Sequence, residues 1–211
     1  MSEGSKTDQY RRAAAGWSRK QYADARTYLE RRAELVISLG PRLVDGDTVL
    51  DLACGDGGLG VFLRARGVGY HGVDVTPEMV AEAARVLGAD AVELGDLNDY
   101  EPPQPVAATT VFRAVYYARD RRAFFAHVAA YTRRKLVFDL NPRQYAVADV
   151  ADDLRAAGFE RMELRPFFVP QRVALPRPVA ALARGAERSG PLARLALRVR
   201  FTYLVAASRA G

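Results

Sequence analysis

Three acidic residues of this sequence lie within or directly after short apolar runs. Asp51 lies within the run that begins at Val49, Asp74 lies near the end of the next run, and Asp96 closely follows Leu94. An ionised carboxylate only accepts hydrogen bonds, so it binds hydroxyl and amino groups. Acids within or directly after three successive strands therefore predict a pocket for a ligand that carries such groups, as an adenosine does.

A glycine-rich segment lies between the first two acids. Residues 55–60 fit G-x-G-x-x-G, a loop between a strand and a helix that lets the backbone and free N–H groups approach a ligand. Asp74 follows Gly55 by 19 residues, a position from which a carboxylate reaches both ribose hydroxyls. The glycines alone also admit a nicotinamide-binding domain. Asp51, Asp96 and the lack of an evident pyrophosphate partner favour a different adenosine cofactor.

The elements that position these residues follow from an alternation of β-branched runs with helical patterns, which is typical of βαβ units and a parallel sheet. Thr76 and Pro77 predict a helix start, and Gly158 predicts a helix end. The predicted strands span residues 48–53, 70–75, 91–94, 107–114, 135–140, 161–169 and 199–208. The predicted helices span 8–22, 25–39, 59–66, a segment that begins at 77, 120–132 and 144–157, with one short helix within the irregular segment 170–190 and a helix-like segment over 191–198.

The length of 211 residues predicts one domain with a substantial core. We expect an N-terminal helical cap over residues 1–40, a cofactor-binding core over 41–165, and a basic insertion over 166–200 before the last strand. The 49% hydrophobic content excludes a disordered chain, and the single Cys54 excludes a disulfide scaffold. No apolar stretch approaches the ~18 residues of a membrane span, and residues 1–6 lack the apolar run of a signal peptide. A cytoplasmic protein is expected.

Three motifs together resemble the class I S-adenosylmethionine-dependent methyltransferases, in a small-molecule type. They are DLACGDG at residues 51–57, GVDVTPEM at 72–79 and GDL at 95–97. The resemblance covers about residues 45–165, and the strand rhythm extends it to the end of the chain. It implies an α/β fold with a doubly wound, mostly parallel sheet of seven strands in the order 3-2-1-4-5-7-6, the last strand antiparallel. It also implies S-adenosyl-L-methionine as cofactor and S-adenosyl-L-homocysteine as product.

The resemblance places the glycine loop under the methionine part of the cofactor, Asp74 on the ribose, and Asp96 with Leu97 at the adenine. Met79 and Leu97 would sandwich the adenine ring. The candidate cofactor-binding residues are Asp51, Ala53, Cys54, Gly55, Gly57, Asp74, Val75, Met79, Asp96, Leu97 and Arg113.

The segment after the fourth predicted strand would face the methyl group and the acceptor. The family often has an apolar, histidine-containing sequence there, from which Arg113 departs. Aromatic residues on the first predicted helix and after the fourth strand either line the acceptor pocket or pack against the sheet, and the sequence leaves both interpretations open. The candidate acceptor-lining residues are Tyr10, Trp17, Tyr22, Tyr116 and Tyr117.

No catalytic residue and no metal site are predicted. A sulfonium methyl donor is already electrophilic, so alignment of the acceptor can supply up to ~7 to 11 kcal/mol of the barrier. Cysteine, histidine and acids are not clustered at metal-ligand spacing. His71, His127 and Cys54 are interpreted as structural. Asn141-Pro142 superficially resembles a box of amino-group methyltransferases, but it follows the fifth strand and Arg143 replaces the second proline.

The formal charge of +6 is concentrated at the two ends of the chain. Residues 166–211 hold eight arginines and the single acid Glu187, and residues 1–32 carry eight basic and four acidic residues. Part of this reflects a general preference for Arg, and the pairs Arg184/Arg188 and Arg194/Arg198 fit a solvated helix face.

In the family that the sequence resembles, the segment before the first strand and insertions near the last strands usually cover the acceptor pocket, and these are the two basic ends. The resemblance therefore implies a small-molecule acceptor that is anionic or aromatic. Two alternatives remain: an acceptor on RNA or on an anionic membrane surface, and a cofactor-binding protein that uses S-adenosylmethionine for other chemistry. A basic isoelectric point alone is weak support for nucleic acid, so RNA is the less favoured partner, while peripheral contact with a membrane stays open.

Overall fold

The computed structural model describes residues 21–168, 176–188 and 202–209. Tyr10 and Trp17 lie outside these ranges, as do Arg194, Arg198 and nearly all of the helix predicted over residues 8–22. The side chains of Arg184 and Arg188 are likewise outside the description.

A single seven-stranded sheet organises the described residues. Its order is β3-β2-β1-β4-β5-β7-β6, and all neighbours are parallel except β7, which runs antiparallel to β5 and β6. The predicted doubly wound fold and strand order are confirmed. The strands are β1 (Thr48–Leu52), β2 (Gly69–Asp74), β3 (Val92–Leu94), β4 (Val106–Val111), β5 (Thr132–Leu140), β6 (Arg161–Pro166) and β7 (Tyr203–Ser208).

Helices cover both faces of this sheet because the buried strands are apolar on both sides. Leu29 and Leu59 belong to the core on one face, and Phe125 and Leu154 belong to the core on the other. The helices are α1 (Ala25–Ser38), α2 (Gly58–Arg64), α3 (Pro77–Leu87), α4 (Arg121–Tyr131), α5 (Val147–Ala156) and α6 (Arg177–Arg188). Among the described residues, no helix has both the length and the apolar character needed to cross a membrane.

Most predicted boundaries agree with the structure to within a few residues. Thr76 is the residue that precedes α3, although its side chain makes no capping hydrogen bond. Gly158 follows α5 with a φ of 91°, as expected for a glycine that ends a helix. The prediction of a sixth strand as far as residue 169 is wrong, because β6 ends at Pro166, a residue with no N–H to donate to the sheet.

The prediction of a fourth strand through residue 114 is also wrong, and the difference shapes the site. β4 ends at Val111, and Arg113 takes a left-handed φ of 56°. Its N–H donates to Asp139 Oδ1 at 2.6 Å, so the chain turns here and does not continue the sheet. A short 3₁₀ helix follows at Val115–Tyr117. This turn brings the residues after β4 over the end of the sheet.

Candidate functional site

A cavity of about 860 Å³ lies where the central strands end, and its size is typical of a site for a small ligand. Of the residues predicted to bind the cofactor, only Gly57 is not part of its wall. Three of the five predicted acceptor-lining residues, Tyr22, Tyr116 and Tyr117, also line it. The cofactor candidates brought together there are Asp51, Ala53, Cys54, Gly55, Asp74, Val75, Met79, Asp96, Leu97 and Arg113.

Asp74 joins the loops that follow β1 and β2. Its Oδ2 accepts from the N–H of Gly55 at 2.9 Å, and its Oδ1 accepts from the N–H of Thr76 at 2.9 Å. Burial raises the pKa of Asp74, while these backbone hydrogen bonds act in the opposite direction. Each carboxylate oxygen keeps a second lone pair, so both can still accept from a hydroxyl in the cavity.

The later glycines of the G-x-G-x-x-G pattern serve the packing of α2. Gly57 has a φ of 71°, and a Cβ there would lie 2.7 Å from Leu87 Cδ1 on α3. At Gly60 a Cβ would lie 2.6 Å from Tyr70 Cε1 on β2. Only glycine allows both close approaches, so these two positions hold the loop in place.

Asp51 lies buried beneath the loop, on the same face of β1 as Val49. Tyr70 donates its hydroxyl to Asp51 Oδ2 at 2.9 Å, and Thr110 donates to Asp51 Oδ1 at 2.6 Å. Burial nevertheless raises the pKa of Asp51 to about 6. Burial also raises the pKa of the nearby Cys54 thiol, which agrees with the structural role predicted for that residue.

Asp96 lies at the end of the cavity near β3. Its Oδ1 accepts from the backbone N–H and the side-chain amide of Asn98, and its Oδ2 accepts from Arg119 at 3.0 Å. Burial opposes ionisation, but these hydrogen bonds keep the pKa of Asp96 below its ordinary value. Met79 and Leu97 are both buried and supply apolar wall at the same end.

These residues fit the adenosyl cofactor that the resemblance implies. Asp74 has lone pairs for two hydroxyls, Asp96 is an acceptor for an amino group, and Met79 with Leu97 offers apolar surface for a ring. The acidic character of this end also suits a ligand with a sulfonium cation.

The opposite end of the cavity is formed by arginine and aromatic side chains, and sequence reasoning missed its main member, Arg32 on α1. The guanidinium carbon of Arg32 lies 4.1 Å from the centre of the Phe112 ring and 4.8 Å from that of Tyr28. Arg32 Nη2 donates to the Tyr28 hydroxyl at 2.8 Å, while the Nε of this buried side chain has no partner among the described residues. Arg113 and Tyr22 line the cavity beside it.

Asp139, at the end of β5, organises this arginine end. Its Oδ1 accepts the N–H of Arg113, and its Oδ2 lies 3.5 Å from Arg32 Nη2. The adjacent Asn141 forms a local turn, because its Oδ1 accepts from the N–H of Arg143 at 3.0 Å. Asn141 does not line the cavity, so its position does not fit the role that the amino-methyltransferase box would give it.

A buried ion pair connects α1 to α6. Glu187, the only acid among residues 166–211, accepts from Arg31 Nε at 2.8 Å and from Arg31 Nη2 at 2.5 Å. It also accepts from the N–H of Phe168 at 2.8 Å, and its side chain is almost fully buried. Because Arg31 directly precedes Arg32, the ion pair between Arg31 and Glu187 holds α6, which lies in the basic insertion, against the arginine end of the cavity.

The two histidines lie outside the cavity. His71 Nε2 is 3.1 Å from the Tyr100 hydroxyl, and His127 Nε2 is 3.0 Å from the Tyr100 carbonyl oxygen. These contacts agree with the structural roles predicted for both residues. In residues 21–168, 176–188 and 202–209, no group of histidine, cysteine and acidic side chains could hold a metal ion.

Comparison with known proteins supports the interpretation of the cavity. Residues 49–135 match a family described as "Methyltransferase domain", which covers the glycine loop, Asp74, Asp96 and Arg113. No curated protein sequence matches the chain.

Solved structures with the same fold include several methyltransferases. A methyltransferase in complex with the Trm112 methyltransferase activator of Haloferax volcanii is 21% identical, with a TM-score of 0.65 over 96% of this chain and 98% of that one. A TehB-like S-adenosylmethionine-dependent methyltransferase from Corynebacterium glutamicum is 16% identical, with a TM-score of 0.60 over 98% and 97%. Magnesium protoporphyrin IX methyltransferase from Synechocystis, with bound S-adenosylmethionine, is 18% identical, with a TM-score of 0.58 over 89% and 82%. These similarities confirm the predicted fold.

Proposed function

We propose that this chain, an S-adenosylmethionine-dependent methyltransferase of the class I fold, methylates a small molecule that binds in the same cavity as the cofactor. The observation that carries the proposal is the continuity of that cavity. Carboxylates at one end suit the adenosine part of the cofactor, and the arginine and aromatic residues at the other end leave a place for an acceptor. A wall shared by both ends would bring acceptor and methyl group together.

S-adenosylmethionine supplies an electrophilic methyl group on a sulfonium. For its binding, we propose that Asp74 accepts the ribose hydroxyls while Asp96 accepts the adenine amino group. Met79 and Leu97 would enclose the adenine ring, and the N–H contact from Gly55 to Asp74 fixes the loop beneath the methionine part. The remaining candidates, including Asp51, Ala53, Cys54 and Val75, complete the wall, with Gly57 acting through the packing of α2.

The chain's contribution to the chemical step would be alignment and the exclusion of water. Tyr116 and Tyr117 stand side by side with ring centres 4.4 Å apart, and both line the cavity next to Arg113. Alignment of the acceptor with the methyl group by such fixed side chains can lower the activation barrier by up to ~7 to 11 kcal/mol. Among the described lining residues there is no histidine, and Asp51 is occupied by two hydroxyl donors, so we assign no general base.

The test is incubation with methyl-labelled S-adenosylmethionine and a panel of small anionic and aromatic acceptors. Label that enters a small molecule together with release of S-adenosylhomocysteine supports the proposal. Release of S-adenosylhomocysteine without a methylated product would instead favour other chemistry on the cofactor. A steep fall of RNA affinity with salt, with methylated RNA as product, would favour the polyanion alternative, and labelled lipid in anionic vesicles would favour the membrane alternative.

A further inference from the structure

We infer that Arg32 and Arg113 form a binding site for an anionic group, a carboxylate or a phosphate, of the methyl acceptor. The inference rests on the proposed function, because it assumes that the arginine end of the cavity holds the acceptor. It adds a substrate class and two specificity residues, one of which lies on α1, outside the matched methyltransferase domain. It also assigns Arg113, which the sequence placed among the cofactor candidates, to the acceptor.

Arg32 places a buried guanidinium at the edge of the cavity. Its side chain is 96% shielded from solvent, yet it borders the cavity and its Nε donor has no partner among the described residues. A buried donor without a partner is unfavourable, so this guanidinium is not fully satisfied by the described residues. The cavity borders this guanidinium, and a guanidinium pairs best with planar or tetrahedral oxyanions.

Arg113 lines the same cavity and has a strained backbone. Its left-handed backbone is uncommon for a residue with a side chain, and the bond from its N–H to Asp139 holds it in that conformation. Its guanidinium has no carboxylate within ion-pair distance in the part of the chain that the structure describes, although neighbouring tyrosines such as Tyr22 interact with it. Backbone strain is therefore maintained at a residue whose charge faces the cavity.

Arg119 provides a contrast within the same cavity. It also lines the wall, at the adenine end, but its charge is met by Asp96 at 3.0 Å and Asp99 at 2.9 Å. At the arginine end, Asp139 is the only carboxylate within ion-pair distance of Arg32 among the described residues, and Asp51 interacts with Arg32 only from further away. The two arginines therefore leave positive charge for a ligand, whereas Arg119 leaves none.

The surroundings also limit the shape of the ligand. Phe112 lies against the Arg32 guanidinium on the cavity wall, with Tyr28 and Phe167 behind it. Tyr22 stacks on Tyr28 with ring centres 4.1 Å apart and also borders the cavity. Such aromatic walls favour a flat or apolar body next to the anionic group.

One other carboxylate could reach these arginines, namely that of the methionine part of the cofactor. The chemistry is the same, but the consequence for affinity differs. An acceptor site leaves cofactor affinity unchanged when an arginine is removed. A cofactor site weakens the binding of S-adenosylhomocysteine and spares 5′-methylthioadenosine, which lacks the amino-acid part.

The experiment measures binding of benzoate and phenyl phosphate, with benzamide as the neutral counterpart, to the full chain saturated with S-adenosylhomocysteine. Ligand-observed NMR suits the millimolar affinities expected of such small probes. We expect the two anions to bind the wild type at least about fivefold more tightly than benzamide, and Arg113→Met and Arg32→Met to remove that preference. Affinity for S-adenosylhomocysteine should change less than about twofold in both variants.

Arg85→Met is the matched control, because Arg85 pairs with Glu82 on the exposed face of α3. Cofactor binding and the unfolding temperature show whether each variant is folded, and Arg113→Met keeps the test decisive if Arg32→Met is not. Equal binding of anionic and neutral probes to the wild type overturns the inference. So does a loss of S-adenosylhomocysteine affinity with unchanged methylthioadenosine affinity. A wild type that binds no S-adenosylhomocysteine would instead count against the proposed function.

Discussion

The two ends of the cavity are built from different parts of the chain. The end proposed for the cofactor is formed by the segments that follow β1, β2 and β3, and its central contact joins Gly55 to Asp74 at the end of β2. The arginine end, which we propose as the acceptor end, combines α1, the turn after β4, the end of β5 and, through Glu187, α6. The Arg31–Glu187 contact alone spans 156 residues of sequence.

The cofactor end follows from the general topology of the fold, whereas the acceptor end depends on contacts particular to this chain. Turns at the carboxyl ends of parallel strands meet at one edge in every doubly wound sheet, so the cofactor end follows from the topology. The acceptor end needs particular long-range contacts, such as those of Asp139 and Glu187. We therefore expect the loss of a charged group at the acceptor end to affect stability or acceptor choice, and the loss of the Asp74 carboxylate to affect cofactor affinity.

The largest effect should come from Glu187→Ala. Removing this carboxylate leaves Arg31 buried with the partly exposed Glu34 as its one carboxylate partner among the described residues, and breaking a buried ion pair costs about 3 to 5 kcal/mol. Chemical denaturation should show this loss, and the preference for anionic probes should weaken. Glu187→Gln should lose less, because the amide oxygen can still accept from Phe168 N–H. Exposed Glu160 gives the control variant Glu160→Ala, and equal stabilities of the two alanine variants would contradict the prediction.

Asp51→Asn should change how stability depends on pH. Burial raises the pKa of Asp51 to about 6, above its ordinary value of 3.8. The folded state then binds the proton more tightly than the unfolded state, so the free energy of unfolding falls as pH rises from about 4 to about 6. Two pKa units correspond to about 3 kcal/mol. The variant should lack this part of the fall in denaturation curves at successive pH values, and an unchanged profile would show that Asp51 does not titrate there.

Asp74→Ala should act on cofactor affinity. It removes the proposed ribose acceptor and the anchor for the N–H groups of Gly55 and Thr76, so the dissociation constant for S-adenosylhomocysteine should rise at least about 100-fold. Calorimetry measures this directly. The exposed Asp90 offers a control, since Asp90→Ala should bind like the wild type. An unchanged affinity in Asp74→Ala would refute the assignment of the ribose site.

More of the cofactor end than of the acceptor end could be predicted from the sequence. The wall at Asp74, Asp96 and Met79 was predictable because apolar runs, turn glycines and acids lie close together in sequence, and the strand order followed from the resemblance of these motifs to a known family. Arg32 was not predictable from the sequence. Residues on nearly every side of the middle of α1 are buried, whereas the apolar helix face predicted from Leu29 and Ala33 does not include Arg32. Two arginines inside this buried helix were the available signal.

The turn after β4 shows a second limit. The β-branched run that ends at Val111 gave no sign that Arg113 would take a left-handed backbone, since that conformation depends on Asp139 from a distant strand. Likewise, Glu187 stood out as the single acid of a basic segment, but composition could not indicate its partner on α1.

The smallest effects should come from glycine substitutions at the two strained turns, one at each end. Ala53 follows β1 with a φ of 59°, and Arg113 follows the neighbouring β4 with a φ of 56°. Glycine relieves about 1 to 2 kcal/mol of left-handed strain but loses about 0.5 to 1 kcal/mol through unfolded-state entropy. The free energies of unfolding of Ala53→Gly and Arg113→Gly should therefore differ from that of the wild type by no more than about 1 kcal/mol.

Their binding properties should nevertheless differ. Ala53→Gly should retain both S-adenosylhomocysteine and the preference for anionic probes, because it keeps every charged group of the cavity. Arg113→Gly keeps the N–H that donates to Asp139 but lacks the guanidinium, so it should bind S-adenosylhomocysteine and lose the anionic preference. If Arg113→Gly still prefers benzoate to benzamide, the backbone turn and not the charge determines the acceptor end, and the proposed division of the cavity into two chemical ends is wrong.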